Sequence, residues 1–272
     1  MGLLKNYNLK KKEQHPFHLV DPSPWPIMTS ISLLCLTLSF ISFFHYYTSG
    51  SLHFMISLLV VCFYLVRWLS DIIVESTFEG HHTDKVQQGI RLGMCLFIAS
   101  EVMFFFSFFW SFFHCTLSPS VGIGCIWPPL GIETLSAWGL PLWNTIILLS
   151  SGITITCAHR AILAGERATT INGVIWTVCY GALFTCIQGY EYNQAPFSIN
   201  DGVFGSLFFM LTGFHGIHVL IGSIFLLICL YRQINYHFTR RHHVGFECAI
   251  WYWHFVDVVW LGLFIIVYIW GG

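Results

Sequence analysis

The sequence has 272 residues, of which 56% are hydrophobic, 18% aromatic and only 9% charged. An ordinary soluble domain carries roughly 25% charged residues, so this composition excludes a water-soluble globule. Twelve Lys and Arg residues against thirteen Asp and Glu residues give a net charge of -1. This balance offers no basic surface for a nucleic-acid backbone, so binding to DNA or RNA is excluded as well.

Seven apolar segments follow one another along the chain, and each is near or above the ~20 residues that a helix needs to cross the hydrocarbon. They run over 27–48, 52–75, 88–116, 141–164, 169–193, 202–232 and 245–270. In lipid the backbone N–H and C=O groups must bond to one another, and these runs lack the alternation of strands. The sequence therefore predicts an all-α membrane protein, built as a seven-transmembrane-helix bundle.

The chain is predicted to be a single integral-membrane domain over 1–272. Within it we expect an N-terminal segment (1–26), a two-helix hairpin (27–75) and a five-helix bundle (88–270). The polar loop between the second and third segments is the reason for separating the hairpin from the other five helices.

The ten cysteines lie mostly inside apolar runs, and none belongs to a Cys-x-x-Cys pair. A disulfide framework or a zinc site would call for regular pairs. We therefore predict that the cysteines are small buried hydrophobic residues.

All twelve Lys and Arg residues are predicted to fall on one side of the membrane. They are Lys5, Lys10, Lys11, Lys12, Arg67, Lys85, Arg91, Arg160, Arg167, Arg232, Arg240 and Arg241. The opposite side carries only the acids Glu133, Glu191 and Asp201. We call the two sides the cation-rich end and the cation-free end, and the positive-inside rule places the N-terminus in the cytoplasm or the mitochondrial matrix.

Two carboxylates are predicted at bilayer depth, where an ionisable group is a functional candidate by default. Glu101 lies about 15 Å beyond Arg91 on the third segment, and Asp257 lies at a similar depth on the seventh. His215 and His218 occupy the centre of the sixth segment. Such groups either handle protons or ions, or form hydrogen-bonded pairs that fix helix packing; the cost of unpaired groups in lipid favours pairing. We expect Asp257 to bond to His215 or His218, and Glu101 to bond to a backbone carbonyl or to a histidine of the sixth segment.

Metal and haem sites have weak support in the sequence. His215 and His218 share one helix face, and Glu-Gly-His-His at 79–82 contains a Glu-x-x-His string, but that string lies in a loop and has no second copy. We find no histidines on facing segments with the small neighbours that a bis-histidine haem needs. The sequence therefore predicts no metal, no haem and no catalytic residue in this chain.

Two stretches at the cation-rich end, 68–83 and 232–247, combine Trp, His, Arg and carboxylates at the membrane interface. Such side chains suit the phosphates of lipid headgroups. They are equally typical of an ordinary belt of membrane anchors. Composition does not distinguish these two interpretations.

Several long strings are nearly specific to one family. They are DPSPWP (21–26), ESTFEGHHT (75–83), FIASEVMFFFSFFW (97–110), WNTIILLSSG (143–152), QGYEYNQAPFSINDGVFGSLFFMLTGFHGIHV (188–219) and HHVGFECAIWYWHFVDVVWLGLF (242–264). From about His15 to the C-terminus, the sequence resembles subunit III of the mitochondrial aa3-type cytochrome c oxidase.

The resemblance implies a non-catalytic core subunit of respiratory complex IV, which reduces oxygen to water with electrons from cytochrome c and pumps protons. It implies a multi-pass protein of the mitochondrial inner membrane, with its N-terminus in the matrix and its C-terminus on the intermembrane-space side. Its partners would be subunits I and II, which carry haem a, haem a3 and the copper centres, together with accessory subunits. The implied roles are to stabilise subunit I and to support proton uptake and oxygen access.

The resemblance also implies a V-shaped cleft filled with phospholipid between helices one and two and helices three to seven. The family's intramembrane glutamate maps to Glu101. Its lipid contacts map to Trp68, Glu75 and His82 on one wall, and to Arg232, His237 and Phe238 on the other.

Two cations of the family pattern are missing here. The family commonly reads Trp-Trp-Arg-Asp and then Arg before Glu-Ser-Thr, whereas this chain has Trp68-Leu69-Ser70-Asp71 and then Val74. Arg67 lies four residues before Asp71, and we expect it to supply part of the missing charge from a different angle. No lipid phosphate is expected at Val74, because an apolar side chain offers no charge-assisted hydrogen bond.

Two functions of other classes stay open from the residues alone. One is a transporter or proton channel that uses Glu101, Asp257 and His218 as a relay, although no proline interrupts any of the seven segments as a broken transport helix would need. The other is a haem-binding membrane oxidoreductase subunit, which redox spectra of the isolated chain would reveal.

Overall fold

The computed structural model describes residues 15–272, a range that contains helices and loops and no strand. The helices are α1 (Trp25–Phe44), α2 (Gly50–Thr77), α3 (Asp84–Leu117), α4 (Leu140–Ala164), α5 (Arg167–Gln194), α6 (Gly202–Ile234) and α7 (Val244–Leu263). A short 3-10 turn, Val121–Ile123, precedes α4, and α7 continues as a π-helical segment, Phe264–Trp270. The cations predicted at positions 5 and 10–12 lie outside the described residues.

All seven helices are long and apolar enough to cross a membrane, so the predicted seven-helix, all-α fold is confirmed. The boundaries differ most at two helices. The helix α1 begins at Trp25 and ends at Phe44, earlier than predicted, because Pro26 is tolerated in its first turn. The helix α3 begins at Asp84, where an acidic side chain interacts favourably with the helix N-terminus.

The chain forms two compact units, which divide between Gly89 and Ile90. The first unit contains α1, α2 and the first residues of α3. Within it, the hydroxyls of Ser39 and Ser57 bond at 2.6 Å and link α1 to α2. The turn between these helices is tight, since a Cβ at Gly50 would lie 2.8 Å from the Ser42 carbonyl oxygen.

The second unit is organised around α7. In the apolar part of α7, 61% of the residues are buried inside the protein, a larger share than in any of the other six helices. The helix α7 is therefore the central helix of this unit. Two of its tryptophans are almost completely buried and bond to α4: Trp253 Nε1 donates to Ser151 Oγ at 2.8 Å, and Trp260 Nε1 donates to Thr145 Oγ1 at 2.9 Å. Small hydroxyl side chains thus lie inside the unit and receive the indole donors.

The cysteines are mostly exposed, so the prediction that they are buried is wrong. All ten are free thiols, and only Cys229 and Cys248 are buried. The exposed ones are Cys35, Cys62, Cys95, Cys125, Cys157, Cys179 and Cys186. A lipid-facing helix surface is itself apolar, so a small apolar side chain gains nothing there from burial inside the protein.

Candidate functional site

Glu101 on α3 and His218 on α6 form a hydrogen bond near the middle of two helices that are long and apolar enough to span a membrane. The distance between Glu101 Oε2 and His218 Nε2 is 2.8 Å, and the two side chains are 23% and 11% exposed. Aromatic rings surround the pair: Phe105 meets the imidazole edge to face at 5.0 Å, and Tyr252 stacks on it at 6.3 Å. The expectation that a histidine of the sixth segment bonds to Glu101 is confirmed.

The other nitrogen of His218 fixes how protons are arranged in this pair. His218 Nδ1 lies 2.7 Å from the Phe214 carbonyl oxygen. A carbonyl oxygen only accepts, so Nδ1 carries a hydrogen and donates it. One further proton is then shared between Nε2 and Oε2. The pair is either a carboxylic acid that donates to a neutral imidazole, or an imidazolium that donates to a carboxylate.

Asp257 has a different partner from the one predicted. Its Oδ2 lies 3.7 Å from His254 Nδ1, one turn earlier on α7, and its Oδ1 has no hydrogen-bond partner among residues 15–272. His215 Nε2 instead donates to the Val256 carbonyl oxygen at 3.3 Å. The prediction that Asp257 bonds to His215 or His218 is therefore wrong. Three residues along a helix bring His254 onto the face of Asp257, whereas equal depth on two helices does not make side chains face each other.

An ion pair at the cation-rich end joins α3 to α7. The guanidinium of Arg91 donates to both carboxylate oxygens of Glu247, from Nε at 2.7 Å and from Nη2 at 3.3 Å. His243 Nε2 lies 3.2 Å from the same carboxylate, and its Nδ1 donates to the Thr239 carbonyl oxygen at 2.9 Å. No sequence pattern predicts this cluster, because Arg91 lies far from His243 and Glu247 in the chain.

Two sets of side chains in the described range are able to hold a divalent metal ion. In each set three ligand atoms lie within 4.8 Å of one another: His18, Glu75 and His82 in the first unit, and His159, His243 and Glu247 in the second. Two imidazoles and one carboxylate suit zinc. The Glu-x-x-His string of 79–82 contributes only His82, because Glu79 pairs with His81 at 3.2 Å. The absence of metal from this chain stays a prediction.

Three lipid-contact candidates of the second unit lie side by side where α6 ends. The guanidinium of Arg232 lies over the Phe238 ring at 4.3 Å, and the His237 backbone N–H donates to the Arg232 carbonyl oxygen at 3.0 Å. Partial burial, and then the positive charge of Arg232, lower the pKa of His237. At neutral pH the fixed positive charge of this group therefore belongs to Arg232.

The candidates of the first unit are arranged differently. Glu75 and His82 belong to the cluster with His18. The guanidinium of Arg67 lies over the Trp25 ring at 5.5 Å, and the indole N–H of Trp25 donates to the Asp71 carboxylate. Trp25 thus contacts both Arg67 and Asp71. That Arg67 supplies part of the charge of the missing cations stays a prediction. Trp68 lies two turns before Glu75 on α2.

Glu191 is not an exposed acid of the cation-free end. It lies on α5 and is only 1% exposed, and its Oε1 accepts a hydrogen bond from the Tyr268 hydroxyl at 2.7 Å. The predicted segment 169–193 already placed Glu191 in its last turn, among the acids of the cation-free end. The carboxyl is buried because the face of α5 that carries it meets Tyr268 in the interior.

The chain is similar to known proteins over almost its whole length. The family model described as Cytochrome c oxidase subunit III matches residues 15–272. The Cytochrome c oxidase subunit 3 of Marchantia polymorpha is 54% identical over 260 residues, which cover 96% of this chain and 98% of the relative. That of Salmo salar is 54% identical over 260 residues, covering 96% and 99%. That of Prototheca wickerhamii is 52% identical over 259 residues, covering 95% and 99%. The chain belongs to the cytochrome c oxidase subunit III family.

Proposed function

We propose that this chain is a non-catalytic core subunit of the mitochondrial cytochrome c oxidase, complex IV. In this proposal it stabilises subunit I during turnover, binds phospholipid and supports proton uptake and oxygen access. The haem and copper centres belong to subunits I and II, and accessory subunits complete the assembly. Membership of the subunit III family favours this function over a transporter or a haem protein.

The observation that carries the proposal is the bond between Glu101 and His218. A relay for ions would present its carboxylate to a path for the ions. Here the carboxylate of Glu101 joins α3 to α6, and the imidazole that it bonds to is packed among aromatic rings. The pair therefore supports a role in helix packing, with one shared proton that is able to respond to charge movements in a partner subunit.

Replacing Glu101 by glutamine is expected to leave the rate of oxygen reduction by the intact oxidase largely unchanged. The amide keeps a hydrogen bond to His218, so the two helices stay joined. Glu101→Leu removes the bond and leaves a buried imidazole nitrogen unpaired, which costs about 1–3 kcal/mol. We expect the leucine variant to lose activity faster than the glutamine variant during continuous turnover, as measured by oxygen consumption over time. Loss of oxygen reduction in an assembled glutamine variant would contradict the proposal.

The proposal includes phospholipid at the cation-rich end. In the second unit Arg232 supplies a fixed charge beside the Phe238 ring, a combination that suits a lipid phosphate and its glycerol backbone. In the first unit His82 is the corresponding candidate, next to Glu75. The lipid-filled cleft of the family is part of this proposal.

Replacing Arg232 by glutamine is expected to release tightly bound phospholipid from the purified oxidase, because the amide keeps a donor and loses the charge. Lipid phosphorus per complex measures the loss. Arg241→Gln, which removes an exposed cation from the loop that follows α6, serves as the control and should release none. A map of the complex should show phosphate near Arg232 and His82, at about 3 Å, and none at Val74. Unchanged phosphorus in the Arg232 variant would refute this part of the proposal.

The proposed location is the mitochondrial inner membrane, with the N-terminus in the matrix and the C-terminus in the intermembrane space. The one-sided distribution of Lys and Arg supports this orientation. Protease access to a tag at each terminus, in intact mitochondria and in preparations stripped of the outer membrane, tests it directly.

A further inference from the structure

A cluster of buried polar side chains lies in the second unit, where α5 approaches the C-terminal π-helical segment. Gln188, Glu191 and Tyr192 occupy one face of α5, since they are three and four residues apart. Gln188 is 5% exposed and Glu191 is 1% exposed. Tyr268, on the π-helical segment, is 4% exposed and reaches Glu191 through its hydroxyl. Four polar side chains thus meet in the interior of a membrane protein.

Two hydrogen bonds within the cluster are complete. The Tyr268 hydroxyl donates to Glu191 Oε1 at 2.7 Å, and the Tyr192 hydroxyl donates to Thr212 Oγ1 on α6 at 2.8 Å. Thr212 donates in turn to the Phe208 carbonyl oxygen at 2.7 Å. These bonds join α5, α6 and the C-terminal segment.

Three atoms of the same cluster are buried and have no hydrogen-bond partner among residues 15–272: Glu191 Oε2, Gln188 Oε1 and Gln188 Nε2. The Gln188 amide is close enough to both tyrosine hydroxyls to interact with them, but neither of its polar atoms has a partner within full hydrogen-bond geometry. Burying polar atoms in this way is unfavourable unless a small polar molecule joins them. Which amide atom is oxygen does not matter here, since both are without a partner.

We propose that this cluster is an internal water site that holds at least one water molecule. A molecule in this site donates to Glu191 Oε2. Water donates two hydrogen bonds and accepts two, so the same molecule, or a second one beside it, is able to bond to the Gln188 amide. With the water in place, every polar atom of the cluster is bonded.

The backbone supports a built site at this place. The segment Phe264–Trp270 is π-helical, a rare conformation that is frequent at functional sites. The segment carries Tyr268, whose hydroxyl bonds to Glu191 and so joins the segment to α5. The proposed water site places a hydrated carboxyl near the cation-free end of the bundle.

A map of the intact oxidase that resolves ordered water tests the site. We expect at least one peak at hydrogen-bond distance from Glu191 Oε2 or the Gln188 amide. The pair of Thr154 and Thr177, whose hydroxyl oxygens lie 2.8 Å apart and each within hydrogen-bond distance of a backbone carbonyl oxygen, is an internal control and should be dry. A dry cluster in a map that shows other internal water overturns the inference. A single strong peak with several short oxygen contacts, which indicates a bound cation, overturns it as well.

Two variants test the assignment of the water molecules. Gln188→Leu removes the two amide atoms and leaves the bond between Glu191 and Tyr268, so we expect every peak beside the amide to be lost and any remaining peak to lie at Glu191 Oε2. Tyr268→Phe frees Glu191 Oε1, so we expect the peaks to persist and one to be added. Unchanged peaks in the leucine variant would contradict the assignment. If that variant does not assemble, the wild-type and phenylalanine maps still decide the question.

Discussion

Replacing Gly173 by leucine is expected to prevent this chain from being retained in the purified oxidase. Gly173 lies where α5 crosses α4, and a Cβ at this position would lie 2.8 Å from the Ala158 Cβ and 3.0 Å from the Thr154 carbonyl oxygen. Neither atom is at the end of a flexible side chain, so the two helices must separate. Close approach through small residues is the main source of helix association in lipid. Subunit content after purification in mild detergent measures the effect.

Alanine at the same position provides a graded version of this test. A single methyl group against a packed backbone typically costs about 1–3 kcal/mol, so Gly173→Ala should assemble and dissociate at a lower temperature. Gly189 is the matched control on the same helix, because a Cβ there meets no atom within 4 Å. Gly189→Ala should behave as the unmodified chain. Equal retention of the Gly173 and Gly189 leucine variants would show that the crossing is looser than described.

Replacing Trp253 by alanine is expected to lower the stability of the second unit by about 3–5 kcal/mol, the usual effect of removing a wholly buried aromatic side chain. Trp253 is 0% exposed and fills the space beside two glycines, Gly181 and Gly222. Its loss leaves a cavity and also leaves Ser151 Oγ without its indole donor. The thermal midpoint of subunit dissociation from the intact oxidase measures the change.

Two further variants separate packing from hydrogen bonding. Trp253→Phe keeps most of the ring volume and loses the bond to Ser151, so we expect a loss of about 1 kcal/mol. Trp176 is 59% exposed, and Trp176→Ala serves as the surface control with little expected effect. A midpoint for Trp253→Ala equal to that of the surface control would contradict the central position of α7.

The hydrogen-bond partners of the two intramembrane acids could not be predicted reliably from the sequence. Both acids were placed on the correct helices, because depth follows from counting residues along a helix. Their partners depend on how each helix is rotated about its axis. His218 faces α3 and bonds to Glu101, while Asp257 faces His254 on its own helix. Nothing in the spacing of one segment specifies the rotation of another.

The ion pair of Arg91 and Glu247 and the burial of Glu191 have the same origin. Arg91 and Glu247 lie 156 positions apart, and only the packing of α3 against α7 brings them together. Glu191 is buried because its face of α5 packs inward and meets Tyr268 of the π-helical segment. Both features arise from contacts between helices, which leave no local pattern.

The sequence by itself determined the number of membrane helices, their approximate limits, and the positions of Glu101 and Asp257 near the middle of their helices. These properties follow from the transfer free energy of each segment into lipid and from a constant helical rise, and both are local. The tertiary structure decided the helix rotations, the partners of the buried acids and the exposure of the cysteines. Those properties depend on close packing between helices at small residues such as Gly173 and Gly181. At such contacts the shapes of the two helix surfaces, and not the hydropathy of either helix, decide which side chains meet.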